Sequence, residues 1–136
     1  MTSINPRNTQ SISYSRRTSE RAMRAMRCSP FQLQLFVAMG ERGVDLRAIA
    51  GNSGMQNQYI RSILSERIAE TELLWLIQVG LLRREVDGQG ITDSFRLTPL
   101  GRQLVKRYQQ SGGFYAAPSL WDRLRNALSR WFRLNI

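Results

Sequence analysis

The chain has no histidine, one cysteine and a single lysine among its 136 residues. Without histidine, a zinc cage of the usual kind and any His-dependent acid–base or nucleophilic arrangement are closed to it. A lone Cys28 forms no internal disulfide and cannot by itself build a metal cage. Arg24 and Arg27 precede it and would favour its thiolate, but a small, partly buried thiol without a task is the better reading. The carboxylates are scattered, no Ser or Cys has a base in view, and no glycine pattern makes a phosphate cradle. The chain therefore reads as a non-enzyme without a cofactor. No run approaches the length of a membrane-spanning helix, and the N-terminus is too polar for a secretory signal. The expected compartment is the cytoplasm, at the nucleoid.

What the chain has in excess is arginine. Its formal net charge is +10, and all but Lys106 of its 20 basic residues are arginine. Arginine suits bidentate recognition of phosphate and guanine, although an Arg-rich codon bias produces the same ratio. The excess sits on the flanks. Residues 1–30 hold six arginines against Glu20, and residues 111–136 hold four against Asp122. The centre, residues 31–110, is nearly balanced, with ten basic and eight acidic side chains. A polyanionic partner is favoured, with the tails supplying much of a salt-sensitive attraction.

Four segments follow from composition and periodicity. Residues 1–28 read as a basic N-terminal arm, disordered through residue 17 because it is polar, with a short helix over 18–27 capped by Thr18. Residues 29–110 form the central domain, 111–117 a Ser/Gly linker, and 118–136 an amphipathic basic helix. Within the centre, Ser29-Pro30 starts a helix carrying Phe31, Leu33, Leu35, Phe36 and Met39. Asp45 caps a second helix over 46–50, residues 51–54 form a turn, and a third helix covers 56–64. A helical pattern with Ile68, Leu73, Leu76 and Ile77 then runs to Val79, with a break at Ser65 left open. Residues 81–86 and 91–97 are short strands around Asp87-Gly88-Gln89-Gly90, and Thr98-Pro99 caps a helix to about Tyr108. The fold class is mostly α with a small β-hairpin.

The strongest signal lies over residues 46–64. Two helices cross tightly where the first presents a tiny side chain, and Ala50 is placed to do so. Gly54 follows in position for a left-handed turn, and Ile49, Met55, Ile60 and Ile63 are spaced to anchor the pair to a core. These residues resemble the helix-turn-helix of bacterial repressors, with Ser53 standing where such motifs place an apolar residue. On that arrangement Gln56, Asn57, Gln58, Arg61, Ser62 and Ser65 are the candidate DNA-reading residues: amides suit adenine and arginine suits guanine in the major groove. A polar solvated helix face would look the same taken alone.

The stretch 81–105 extends the resemblance. Gly80-Leu81, Arg83-Arg84, Asp87-Gly88 and Leu97-Thr98-Pro99-Leu100-Gly101-Arg102-Gln103-Leu104 are similar to the wing and following helix of winged-helix regulators of the MarR and PadR type. The resemblance covers roughly residues 31–108. It implies a winged helix-turn-helix in which Arg83, Arg84 and Arg96 bring the hairpin onto DNA backbone or into a minor groove. Residues 66–72 carry Glu66, Glu70 and Glu72 against Arg67, a charge that would repel phosphate, so recognition is assigned to residues 56–65.

In the last segment Leu120, Trp121, Leu124, Ala127, Leu128, Trp131 and Phe132 recur at helical spacing among Arg123, Arg125, Arg130 and Arg133. Pro118-Ser119 with Asp122 reads as its capping box. Docking on its own domain or a homodimer interface is the plain expectation; an anionic membrane surface or a partner protein also suits the chemistry. The expectation for the whole is a homodimeric regulator of double-stranded DNA. The competing reading is a winged-helix adaptor that uses residues 118–136 on a protein or membrane surface.

Overall fold

The computed structural model describes residues 13–110 and 120–134; the expectations for residues 1–12 and for the linker and its capping box at 111–119 lie outside them. Helix α1, Arg16–Cys28, begins two residues before the expected one and is capped by Ser15, whose hydroxyl accepts from the Thr18 amide. Ala22, Ala25 and Met26 are buried along one side, so this helix is a packed part of the core rather than an arm. Ser29 caps its end, donating to the Met26 carbonyl at 2.7 Å, instead of opening the next helix. Helix α2, Leu33–Glu41, starts later than Ser29-Pro30 suggested and sinks Leu35, Phe36 and Met39 into the centre.

Strand β1, Val44–Asp45, leads directly into the short helix α3, Leu46–Ile49, because the Asp45 carboxylate accepts from the Arg47 amide at 2.8 Å. The expected turn at 51–54 is itself helical: α4 spans Gly51–Gln56. Gly51, at φ 63°, makes the kink between α3 and α4. Gly54 is needed for close approach and not for a left-handed turn. A Cβ there would strike the Ile49 carbonyl oxygen and stand 2.9 Å from Ile60 Cδ1.

The expected helix over 56–64 does not form. Gln58 takes the left-handed conformation at φ 63°, its amide donates to Met55 O, and the Tyr59 amide donates to Gly54 O at 2.9 Å. That pair of bonds is a Schellman stop. The chain then runs extended. Phe31 and Ile60 form an antiparallel bridge, and Gln32 fastens the segment through its amide to Tyr59 O and its side chain to Ile60 O. Ile60 is buried as expected, whereas Ile63 is exposed and anchors nothing to the core.

Ser65 resolves the open boundary: its hydroxyl accepts from the Ile68 amide and starts α5, Glu66–Gln78. Strands β2, Leu82–Asp87, and β3, Gly90–Leu97, follow as the hairpin, with Gln89 donating to Asp87 Oδ1 in the turn. The sheet order is β1-β3-β2, antiparallel throughout, with Val44 and Arg84 both opposite Phe95. Thr98 then caps α6, Pro99–Gln110, by accepting from the Gly101 amide, as its position before Pro99 implied. Gly101 lies against the Leu81 carbonyl, where a side chain has no room. The last helix, α7, covers Leu120–Leu134. The result is mostly helical with a small three-stranded sheet, and a single apolar cluster joins α1, α2, α3, α5, α6 and the sheet.

Candidate nucleic-acid interface

Helix α5 precedes the hairpin; the core holds one side of it, and α7 meets it at Trp75 and Glu72. Ala69, Leu73 and Leu76 are buried on the core side. Arg67, Thr71, Leu74 and Gln78 recur at spacings of four, three and four and are all exposed. They form one outward row about 16 Å long from first to last Cα, at 1.5 Å per residue. The row carries one cation and no carboxylate.

The acidic side chains that argued against this helix are largely neutralised. Glu70 accepts from Arg84 at 2.9 Å, and Glu72 pairs with Arg130 of α7 at 3.4 Å. Glu66 remains at the N-terminal end, where the helix dipole favours a carboxylate. The outer face of α5 is thus close to neutral and locally cationic at Arg67.

The residues expected to read DNA are scattered by the loss of the 56–64 helix. Gln56 ends α4, exposed. Asn57 donates to the Ala48 carbonyl at 3.1 Å, and Gln58 is the left-handed stop; both hold the turn. Arg61 and Ser62 are exposed on the extended segment. Ser65 is the cap of α5, its hydroxyl already engaged. They share no helix face.

The arginines of the hairpin also divide. Arg84 is pinned between Glu70 and Asp93 with its guanidinium 5.0 Å above the Phe95 ring. Arg96 bonds Glu85 and the Glu41 carbonyl. Both are structural cations. Arg83 alone of the three is exposed, on β2, and among the described residues it makes no ion pair. Arg61, Arg67 and Arg83 are therefore the exposed cations available beside α5 and the hairpin.

Sequence reasoning missed the row on α5. The signal was present: Ser65 before Glu66, followed by buried positions at 69, 73 and 76, is a capped amphipathic helix. What hid it was the net acidity of the segment, because the partners of Glu70 and Glu72 lie 14 and 58 residues away in sequence.

The last helix lies against this region. Trp75 Nε1 donates to Asn126 Oδ1 at 3.0 Å, and the Arg130 guanidinium sits 5.5 Å over the Trp75 ring. These contacts are to its own domain, one of the two plain expectations for this segment, the other being a homodimer interface. Helices α1 and α7 pack against each other. Together they hold nine arginines against Glu20 and Asp122, seven of the ten excess positive charges.

Among the described residues no group of His, Cys, Asp and Glu could hold a metal ion. A family model described as Npun_F0494-like matches residues 12–130, most of the chain, which therefore belongs to that family. No curated protein and no solved structure matches the chain.

Proposed function

We propose that this member of the Npun_F0494-like family is a DNA-binding transcriptional regulator of winged helix-turn-helix construction, with α5 as the helix that enters the major groove. The observation that carries the reading is the order of elements: helix, short strand, helix pair, α5, then a hairpin whose second strand pairs with both others. Helix α5 packs on β2, with Glu70 bonded to Arg84, and a winged helix likewise presents a groove-reading helix followed by a hairpin wing.

The chemistry of the outward row supports it. Arg67 suits guanine, Gln78 suits adenine, and Thr71 and Leu74 offer apolar contact to thymine methyl groups. Arg61, on the segment before α5, and Arg83, on β2, are exposed, suit phosphates and would set the register without reading sequence. The roles first given to Arg84 and Arg96 pass to the fold: they neutralise Glu70, Asp93 and Glu85 and so keep carboxylates from facing a phosphate backbone.

Selection from a random duplex library at two salt concentrations tests the reading. The expected result is enrichment of a defined site by the wild type. An Arg67→Ala/Thr71→Ala/Gln78→Ala variant should lose that enrichment and keep weak, salt-sensitive binding. Each good base contact removed is worth about 1–3 kcal/mol of discrimination. A wild type that enriches no site sinks the regulator, and enrichment unchanged in the variant assigns recognition to another element.

A further inference from the structure

Helix α7 meets the domain in part through polar side chains. The Asn126 side-chain oxygen accepts from Trp75 Nε1, and Arg130 pairs with Glu72. Its apolar side chains Leu124, Leu128 and Trp131, at spacings of four and three, stay 49%, 45% and 59% exposed. An amphipathic helix that serves only to cover its own domain buries that stripe. Beside the stripe, between α1 and α7, opens a shallow cleft of about 360 Å³ lined by Arg17, Glu20, Arg24, Arg125, Leu128 and Ser129. Its one carboxylate, Glu20, is already paired with Arg16 at 3.1 Å. Arg24 Nε is shielded from solvent and has no hydrogen-bond acceptor. Arg17, Arg24 and Arg125 make no ion pair among the described residues, and Leu128 joins their cleft to the apolar stripe.

We propose that this face of α1 and α7 docks on an anionic phospholipid surface. Lipid phosphates occupy the arginine cleft, and Leu124, Leu128 and Trp131 enter the boundary between headgroups and acyl chains. Charge complementarity selects the occupant. Arg17, Arg24 and Arg125, gathered in this cleft, repel a second copy of the same face and attract an anionic leaflet. Leucine and tryptophan flanked by arginine is the composition of a helix that lies in the plane of the interface. No helix among the described residues is long and apolar enough to cross a membrane, so the attachment is peripheral. The outward row of α5 contributes nothing to this face, and the two proposals stand independently.

The test is co-sedimentation of the full chain with vesicles of phosphatidylcholine alone and of phosphatidylcholine with phosphatidylglycerol, alongside ultracentrifugation without lipid. The wild type should bind only the anionic vesicles. Leu124→Ser/Leu128→Ser/Trp131→Ser, which leaves the charge unchanged, should weaken that binding about tenfold or more. Arg17→Gln/Arg125→Gln should weaken it too, and duplex DNA affinity of the serine variant should stay near wild type. Absence of binding to anionic vesicles overturns the proposal, as does equal binding by the serine variant. A lipid-indifferent dimer that the serine substitutions dissociate would assign the stripe to a second copy of the chain.

Discussion

Single residues decide where the helices around position 55 begin and end. Gln58 stops α4 from the left-handed region, which costs a side chain about 1 kcal/mol that glycine does not incur. Gln58→Gly is therefore expected to stabilise the fold by about 0.5–1 kcal/mol, seen as a higher urea midpoint at unchanged slope. Gly54→Ala should do the opposite, by about 1–3 kcal/mol, because the methyl group meets the Ile49 carbonyl and Ile60. A Gly54→Ala protein as stable as wild type would mean that α3 and α4 do not cross as tightly as described. Asp45 offers a pH-dependent check. The hydrogen bond from the Arg47 amide, opposed in part by desolvation, holds its carboxyl below the ordinary aspartate value of 3.8. A depressed acid stabilises the fold fully above its unfolded value and loses that contribution as pH falls through the folded value. Asp45→Ala should thus cost about 1 kcal/mol near neutrality, with the gap to wild type closing below pH ~4.

At the scale of elements, the hairpin, its turn and the capped helix after it were legible because each rests on local chemistry. Asp87-Gly88 turns, alternation marks the strands, and Thr98-Pro99 caps α6. The stretch from 51 to 65 was not. A glycine-rich tetrapeptide read as a turn is helical because Gly51 and Gly54 admit a kink and a close backbone contact. A polar run read as a recognition helix is extended because Gln58 carries a stop usually left to glycine, and because Phe31 and Gln32 capture the segment from 28 residues away. Long-range capture of that kind leaves no local periodicity. The displaced assignment has a measurable consequence on the enriched duplex. Arg67→Ala should lower affinity and relax preference at one base position, while Arg83→Ala should weaken binding evenly and reduce the salt slope by about one. Identical behaviour of the two variants would remove the distinction between α5 and the hairpin.

For the whole molecule, composition gave the sign of the excess charge but not its geography. The basic flanks looked like two separate tails, and the structure joins their helices into one face. No property of either segment alone announces that meeting. The core between them is nearly balanced in charge, so the row on α5 depends on stereochemistry more than on net attraction. The charged face and the proposed reading row are therefore carried by different helices of one small protein.

The most direct test of the central claim is a titration of the isotope-labelled chain with duplex DNA, followed amide by amide. The account expects the largest shifts in residues 66–78 and at the hairpin tip around Gly88, with α1 and α7 moving less as salt is raised. Shifts confined to α1 and α7, and vanishing with salt, would contradict it.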